Sequence, residues 1–265
     1  MITLITGDHP RHKYLADCFV KTFPKITWII QKRENFIPNI NESFSNEIKK
    51  LYQLHFKKRE EAEYKFFSLK NGKSKTNISK IFEINRVDFT NGKLKSFFKT
   101  NNTKLLITYG CEKISNEILN EIKGYKWNIH GGLSPWYRGT ITHFWPTYML
   151  EPEYTGMTLH ELTDKIDGGD IVHQNSINLN PRDGIHENAC RVVKNFSDTL
   201  PPLIKKKIKK KLTPIKSKTS GRIWTNRMWS PLLLTVIYNV FEDKINKYCL
   251  ENKKIIKPKI KSILI

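Results

Sequence analysis

Five short apolar runs, rich in β-branched residues and separated by stretches of helical periodicity, constrain this chain more than any other feature. They are ITLIT at 2–6, ITWII at 26–30, IFEI at 81–84, KLLITYG at 104–110 and WNIH at 127–130. Runs of this length and composition make buried strands. The intervals repeat their apolar residues at helical spacing. Tyr14, Leu15, Cys18, Phe19 and Phe23 follow the first run, a long amphipathic stretch covers 44–68, a helix is expected around 91–100, and Ile114, Ile118, Leu119 and Ile122 share a face within 112–122. Strand and helix in alternation build βαβ units, whose crossovers set successive strands parallel.

The expected fold class is therefore α/β: a Rossmann-like, mostly parallel twisted sheet flanked by helices, with a short C-terminal extension. Neither GxGxxG nor GxxxxGK[ST] follows a strand, so dinucleotide and P-loop chemistry lose their main support. A helix is expected from about Asp183 to Leu200. Pro201-Pro202, the lysine block at 205–211 and GRIWTNRMWSP at 221–231 follow it. A boundary is placed near Pro201, giving a catalytic domain at 1–200 and a lysine-rich, helical extension at 201–265 that packs on it.

The charge narrows the partners. Forty-six Lys and Arg against twenty-five Asp and Glu leave a net +21, which favours an anionic ligand. No nucleic-acid motif accompanies the lysine block, so no specific nucleic-acid partner is expected. No run reaches the roughly 18 apolar residues of a membrane-spanning helix, and Asp8 interrupts the start before a signal peptide could form. Cys18, Cys111, Cys190 and Cys249 are scattered, without zinc or redox spacing. A cytoplasmic protein without metal is expected.

Ligands of open α/β sheets gather beyond the carboxyl ends of the strands. The fifth run ends there in Asn128-Ile129-His130, two polar side chains on one side of a strand. Gly131-Gly132, Leu133-Ser134-Pro135 and Tyr137-Arg138-Gly139 follow, then a helix carrying His143. Thr155-Gly156-Met157-Thr158-Leu159-His160 and Asp167-Gly168-Gly169 come about thirty residues later. Taken alone, Asn-x-His is a common turn with a satisfied histidine, and His160 reads equally as a packed histidine or a participant. Together and in this order, these segments resemble the formyltransferases that use N10-formyltetrahydrofolate, clearly over 104–175 and more faintly from residue 1.

The resemblance implies transfer of a formyl group from N10-formyltetrahydrofolate, a co-substrate, to an amine. It implies Asn128, His130 and Asp167 as the catalytic set. An amide and an imidazole N–H would meet the developing oxyanion, and the His–carboxylate pair would move the proton. It also implies a pterin bordered by the loop from Leu162 to Asp167, which includes Asp164, and by Thr108, Tyr109, Gly110 and Cys111. Gly131-Gly132 replaces the family's common turn, and two extra degrees of backbone freedom are expected to reshape the pocket wall.

Among acceptors, the amine of a nucleotide-linked amino-deoxy sugar suits the length best. A methionyl-tRNA enzyme would call for a β-rich C-terminal domain that is absent from the pattern, and a non-catalytic folate or sugar-nucleotide binder is the other alternative. Arg11 and His12 after the first strand, or Arg138 in the turn, are positioned to meet a diphosphate. Trp136, Tyr137 or Trp224 would stack on a base or sugar. The tail KPKIKSILI is open between a homodimer element, a packed strand and a loose end.

Overall fold

The computed structural model describes residues 1–32, 39–68, 78–163, 165–217 and 222–265. The strands are β1 (Ile2–Thr6), β2 (Ile26–Gln31), β3 (Ile78–Ile84), β4 (Leu105–Tyr109), β5 (Tyr125–His130), β6 (Arg138–Gly139), β7 (Gly156–Glu161), β8 (Ile171–Ser176) and β9 (Ile223–Trp224). Helices α1 (Pro10–Thr22), α2 (Asn46–Phe67), α3 (Lys93–Thr100), α4 (Asn116–Leu119), α5 (Trp145–Tyr148), α6 (Ile185–Lys207) and α7 (Ile245–Asn252) connect and cover them.

Among the described residues one sheet runs in the order β3-β2-β1-β4-β5-β7-β8. The first five strands are parallel, and β7 and β8 add an antiparallel hairpin to the β5 edge. Burial on both faces explains the unbroken apolar runs. Leu4, Ile107 and Trp127 point into a core completed by Phe19 of α1 and Phe196 of α6. Their neighbours Ile5 and Leu106 point the other way, onto Leu94 and Phe98 of α3 and Ile118 of α4. Each such fully buried side chain contributes roughly 1.5–3 kcal/mol.

Two helices expected from periodicity are shorter here. Of 112–122 only α4 is helical, and of the segment bearing His143 only α5. Pro146 sits in that helix's first turn, where a missing N–H costs nothing, and the left-handed backbone of Leu150, with φ of 58°, ends it after one turn. By contrast α6 runs through Pro201-Pro202 to Lys207. Interior prolines cost roughly 3 kcal/mol each, and the burial of Phe196, Leu200 and Ile204 opposes that cost.

The C-terminal residues complete the main body. Ile215 bridges Ile171, and Ser262 bridges His173 beyond the outer edge of the sheet. Leu264 is fully buried in the main core, so the tail is a packed segment that caps the β8 edge. Trp224, Ile237 and Cys249 join Phe56 and Phe144 in a further cluster beneath α2. The sheet order reverses at β1, which lies between β2 and β4. The crevice above the carboxyl ends of β1, β4 and β5 is where the candidate site lies.

Candidate active site

Three adjacent strands carry the site. Thr108 of β4, Asn128 of β5 and His160 of β7 are register partners, so their side chains stand in a row on one face. Thr108 Oγ1 donates to Asn128 Oδ1 at 2.7 Å, and Asn128 Nδ2 lies 3.2 Å from His160 Nε2. His160 Nδ1 donates to the Glu161 carbonyl at 2.8 Å. That fixes the tautomer and leaves Nε2 to accept from the Asn128 amide. Asn128 is thus oriented from both sides, and its second amide hydrogen remains for a ligand oxygen.

His130 sits two residues along the same face. Its Nε2 donates to the Tyr137 carbonyl at 2.8 Å, and its Nδ1 lies 3.3 Å from Asp167 Oδ2. Asp167 Oδ1 is 3.5 Å from His160 Nε2. The amide, the imidazole and the carboxylate therefore meet within one cluster of close contacts, drawn from β5 and the loop after β7, with His160 of β7 beside them.

The loop reaches this position through a left-handed backbone at Asp167, with φ of 43°. Such a conformation in a non-glycine residue persists only where its surroundings over-determine it. Here they do. Buried Arg138 donates to the Ile166 carbonyl from Nε at 3.1 Å and from Nη2 at 2.6 Å. The Gly139 N–H donates to Asp167 Oδ2 at 3.0 Å, and Ser134 Oγ donates to the Asp167 carbonyl at 3.4 Å. Gly139 itself has φ of 104°, and a Cβ there would run into the Trp224 carbonyl, so only glycine brings this N–H to the carboxylate.

Burial works against the charged form of Asp167, but His130, His160 and the Gly139 N–H outweigh it and hold the carboxyl well below the usual carboxylate range. Burial pushes the His130 imidazole below its ordinary value in spite of Asp167. The resting pair is a neutral ring beside a carboxylate, with His130 Nδ1 unprotonated because Nε2 carries the hydrogen to Tyr137. Such a pair has room for one proton between its members.

A cleft of about 770 Å³ opens over this set, within the roughly 300–1,000 Å³ of ligand pockets. Asn128, His130 and Asp167 line it, as do Arg11, His12, Tyr109, Gly110 and Cys111. Thr108, Leu162, Trp136, Tyr137 and Arg138 are not part of its described wall. Thr108 and Arg138 act from behind it, on Asn128 and on the Asp167 loop. Tyr137 is buried, donates to Glu151 Oε2 at 2.7 Å and stacks on Trp224. Trp136 is 39% exposed and meets Tyr154 edge-on. Asp164 lies outside the described residues.

Arg11 and Arg59, on the same cleft wall, both bond to Oε1 of buried Glu63, the second at 3.2 Å. Burial, with Arg11 close by, lowers Arg59 to about 10. The expectation of backbone freedom at Gly131-Gly132 is corrected. Neither residue has a positive φ; what they supply is missing side-chain volume. A Cβ on Gly132 would occupy the space of His130 Nε2 and the Tyr137 carbonyl, and one on Gly131 would press on the His143 ring. Sequence reasoning left His160 undecided and assigned Arg59 no role. Strand register, which pairs His160 with Asn128, is the signal that identifies the former.

The model of a family described as formyl transferase matches residues 44–203. The bifunctional polymyxin resistance protein ArnA of Wigglesworthia glossinidia brevipalpis is 36% identical over 99 residues, which are 36% of this chain and 15% of that protein, so the match spans only a small part of the relative's length. A sugar N-formyltransferase from a Shewanella species superposes with a TM-score of 0.51 at 18% identity, covering 86% of this chain and 78% of that one. An N-formyltransferase from Helicobacter canadensis, in complex with folinic acid and dTDP-3-aminofucose, gives 0.54 at 17% identity over 87% and 73%. PseJ from Anoxybacillus kamchatkensis, in complex with UDP-4,6-dideoxy-4-formamido-L-AltNAc and tetrahydrofolate, gives 0.51 at 16% identity over 93% and 97%. At these identities the structural likeness is one of fold.

Proposed function

Because this chain belongs to the formyl transferase family, we propose that it moves a formyl group from N10-formyltetrahydrofolate to the amine of a nucleotide-linked amino-deoxy sugar. One observation carries the reading: Asn128, His130 and Asp167, from separate stretches of chain, meet on the wall of a single cleft. The nucleotide-sugar and folate complexes among its structural neighbours support the choice of both substrates.

In this proposal the lone pair of the amine forms a bond to the formyl carbon, the bond from that carbon to folate N10 breaks, and N10 gains a proton as the amine loses one. The remaining amide hydrogen of Asn128 stabilises the formyl oxygen as charge develops on it. The neutral His130 ring beside ionised Asp167 takes the amine proton between Nδ1 and the carboxylate and returns it to N10. The Tyr109–Cys111 end of the cleft is the proposed side for the pterin. Arg11 and Arg59 are the proposed partners of the diphosphate, since guanidinium forks match phosphate oxygens. Four free cysteines suit the reducing cytoplasm in which we place the reaction.

The test is release of tetrahydrofolate from N10-formyltetrahydrofolate in the presence of amino sugars linked to dTDP or UDP. Turnover with at least one is expected, and none across the panel rejects the sugar reading. Asp167→Asn should lower kcat by about a hundredfold or more while folate affinity stays within a few-fold. Near-normal turnover by that variant would remove Asp167 from the mechanism.

A further inference from the structure

His143 stands on the same cleft wall as Asn128, His130 and Asp167, yet the chemistry above gives it no task. Its ring lies over Gly131, the residue that follows the catalytic imidazole. A Cβ built on Gly131 would sit 3.2 Å from Cε1 and 3.8 Å from Nδ1 of His143, so the missing side chain is what lets the ring approach. Thr142 holds the adjoining backbone by donating to the Gly131 carbonyl. The ring is only half buried and faces the cleft.

Its tautomer follows from its partner. Nε2 lies 3.2 Å from the Gly156 carbonyl, and a carbonyl only accepts, so Nε2 carries the hydrogen. Partial burial, then Arg11, push the imidazole below its ordinary value, so the ring is neutral at neutral pH and Nδ1 presents a lone pair. Among the described residues nothing hydrogen-bonds to that atom.

An acceptor atom in this place selects its ligand. Phosphate oxygens and the formyl oxygen are themselves acceptors and are turned away from it. The group it fits is an N–H donor brought to the reacting centre beside His130. We propose that His143 Nδ1 accepts a hydrogen bond from the attacking amine and aims its lone pair at the formyl carbon. A ring this weakly basic orients the amine without capturing its proton, which is left to His130 and Asp167. The cleft wall then offers partners for both ends of an amino-sugar diphosphate: the reacting nitrogen at His130 and His143, the phosphates at Arg11 and Arg59. The inference rests on the formyl-transfer reading but not on the sugar.

The test compares His143→Leu, His143→Gln and Gly131→Ala with the wild type. Acceptors are the amino-sugar nucleotides, glycinamide ribonucleotide and methionyl-tRNA. For whichever amine the wild type formylates, His143→Leu should lower kcat/KM for the acceptor by about tenfold or more with the folate Kd unchanged. His143→Gln, which keeps a donor and an acceptor, should recover most of the loss, and Gly131→Ala, which only nudges the ring, should give a smaller loss than His143→Leu. The decisive readout is selectivity. The wild type should bind the amino compound more tightly than its deoxy counterpart, which has no donor at that position, and His143→Leu should erase that preference. Equal weakening of both ligands, or kcat/KM within twofold of wild type, overturns the proposal. If only a non-sugar amine is formylated, the sugar reading fails and His143 is judged on that amine. If none is, both readings fall.

Discussion

Thr108→Val probes how far the proposed oxyanion donor depends on the strand behind it. Thr108 is 1% exposed and its hydroxyl donates to Asn128 Oδ1 at 2.7 Å. Valine keeps the shape and removes the hydrogen, leaving a buried carbonyl oxygen against a methyl group. Removing one partner of a buried pair costs roughly 1–3 kcal/mol. If all of it fell on the transition state, kcat would drop about 5- to 150-fold. The structure puts the expected value near the lower end. A flipped Asn128 amide would set its oxygen against His160 Nε2, which is an acceptor because Nδ1 holds the hydrogen. His160 therefore keeps the amide in place after Thr108 lets go. We expect kcat about tenfold below wild type, folate affinity within twofold, and Thr108→Ser close to wild type. The assay is tetrahydrofolate release at saturating substrates, with a urea titration to separate stability from rate. A valine variant at full kcat, or a serine variant as impaired as valine, would refute the argument that Thr108 orients Asn128.

Other perturbations follow from the same geometry. Gly139→Ala drives a methyl group into the Trp224 carbonyl at a φ of 104°; it should destabilise the fold by about 2 kcal/mol or more and abolish transfer, measured by urea unfolding and turnover. Arg138→Met removes both donors to the Ile166 carbonyl, so stability should fall by about 2 kcal/mol and kcat with it; lysine, lacking the two-pronged fork, should restore little of either. Acid should unfold this protein early. Burial pushes His55 and His143 to about 3 and His173 to about 4. The unfolded chain therefore binds protons below pH 6.5 that the folded chain refuses, and stability, full above that pH, falls as pH drops toward 4. Asp167 adds to the loss only below the ordinary aspartate range. Equal urea midpoints at pH 7.5 and 5.5 would contradict this.

Much of the architecture was legible because its signals are local. The strands ITLIT, ITWII and KLLITYG, and the helices at 10–22 and 46–67, were visible from apolar spacing alone, since burying a sheet on both faces demands unbroken runs. The antiparallel direction of β7 and β8 was not legible, because direction belongs to the connection and not to the residues. The single-turn α5 was overestimated, as its aromatic residues mimic a helical face while serving a cluster with Trp224. Tyr137 and Arg138 look like binding residues in the linear sequence, yet one is held by Glu151 and Trp224 and the other by the Ile166 carbonyl.

By itself the sequence determined the layered α/β plan, the residue types at the carboxyl ends of the strands, and the resemblance that named a reaction. Only the tertiary structure decided what those residues do. Register across three strands, a left-handed turn at Asp167 and the empty volume over Gly131 and Gly132 join residues up to 59 positions apart, from Thr108 to Asp167, in one unbroken run of side-chain contacts. Distances of that kind depend on how elements pack, and no local propensity encodes them.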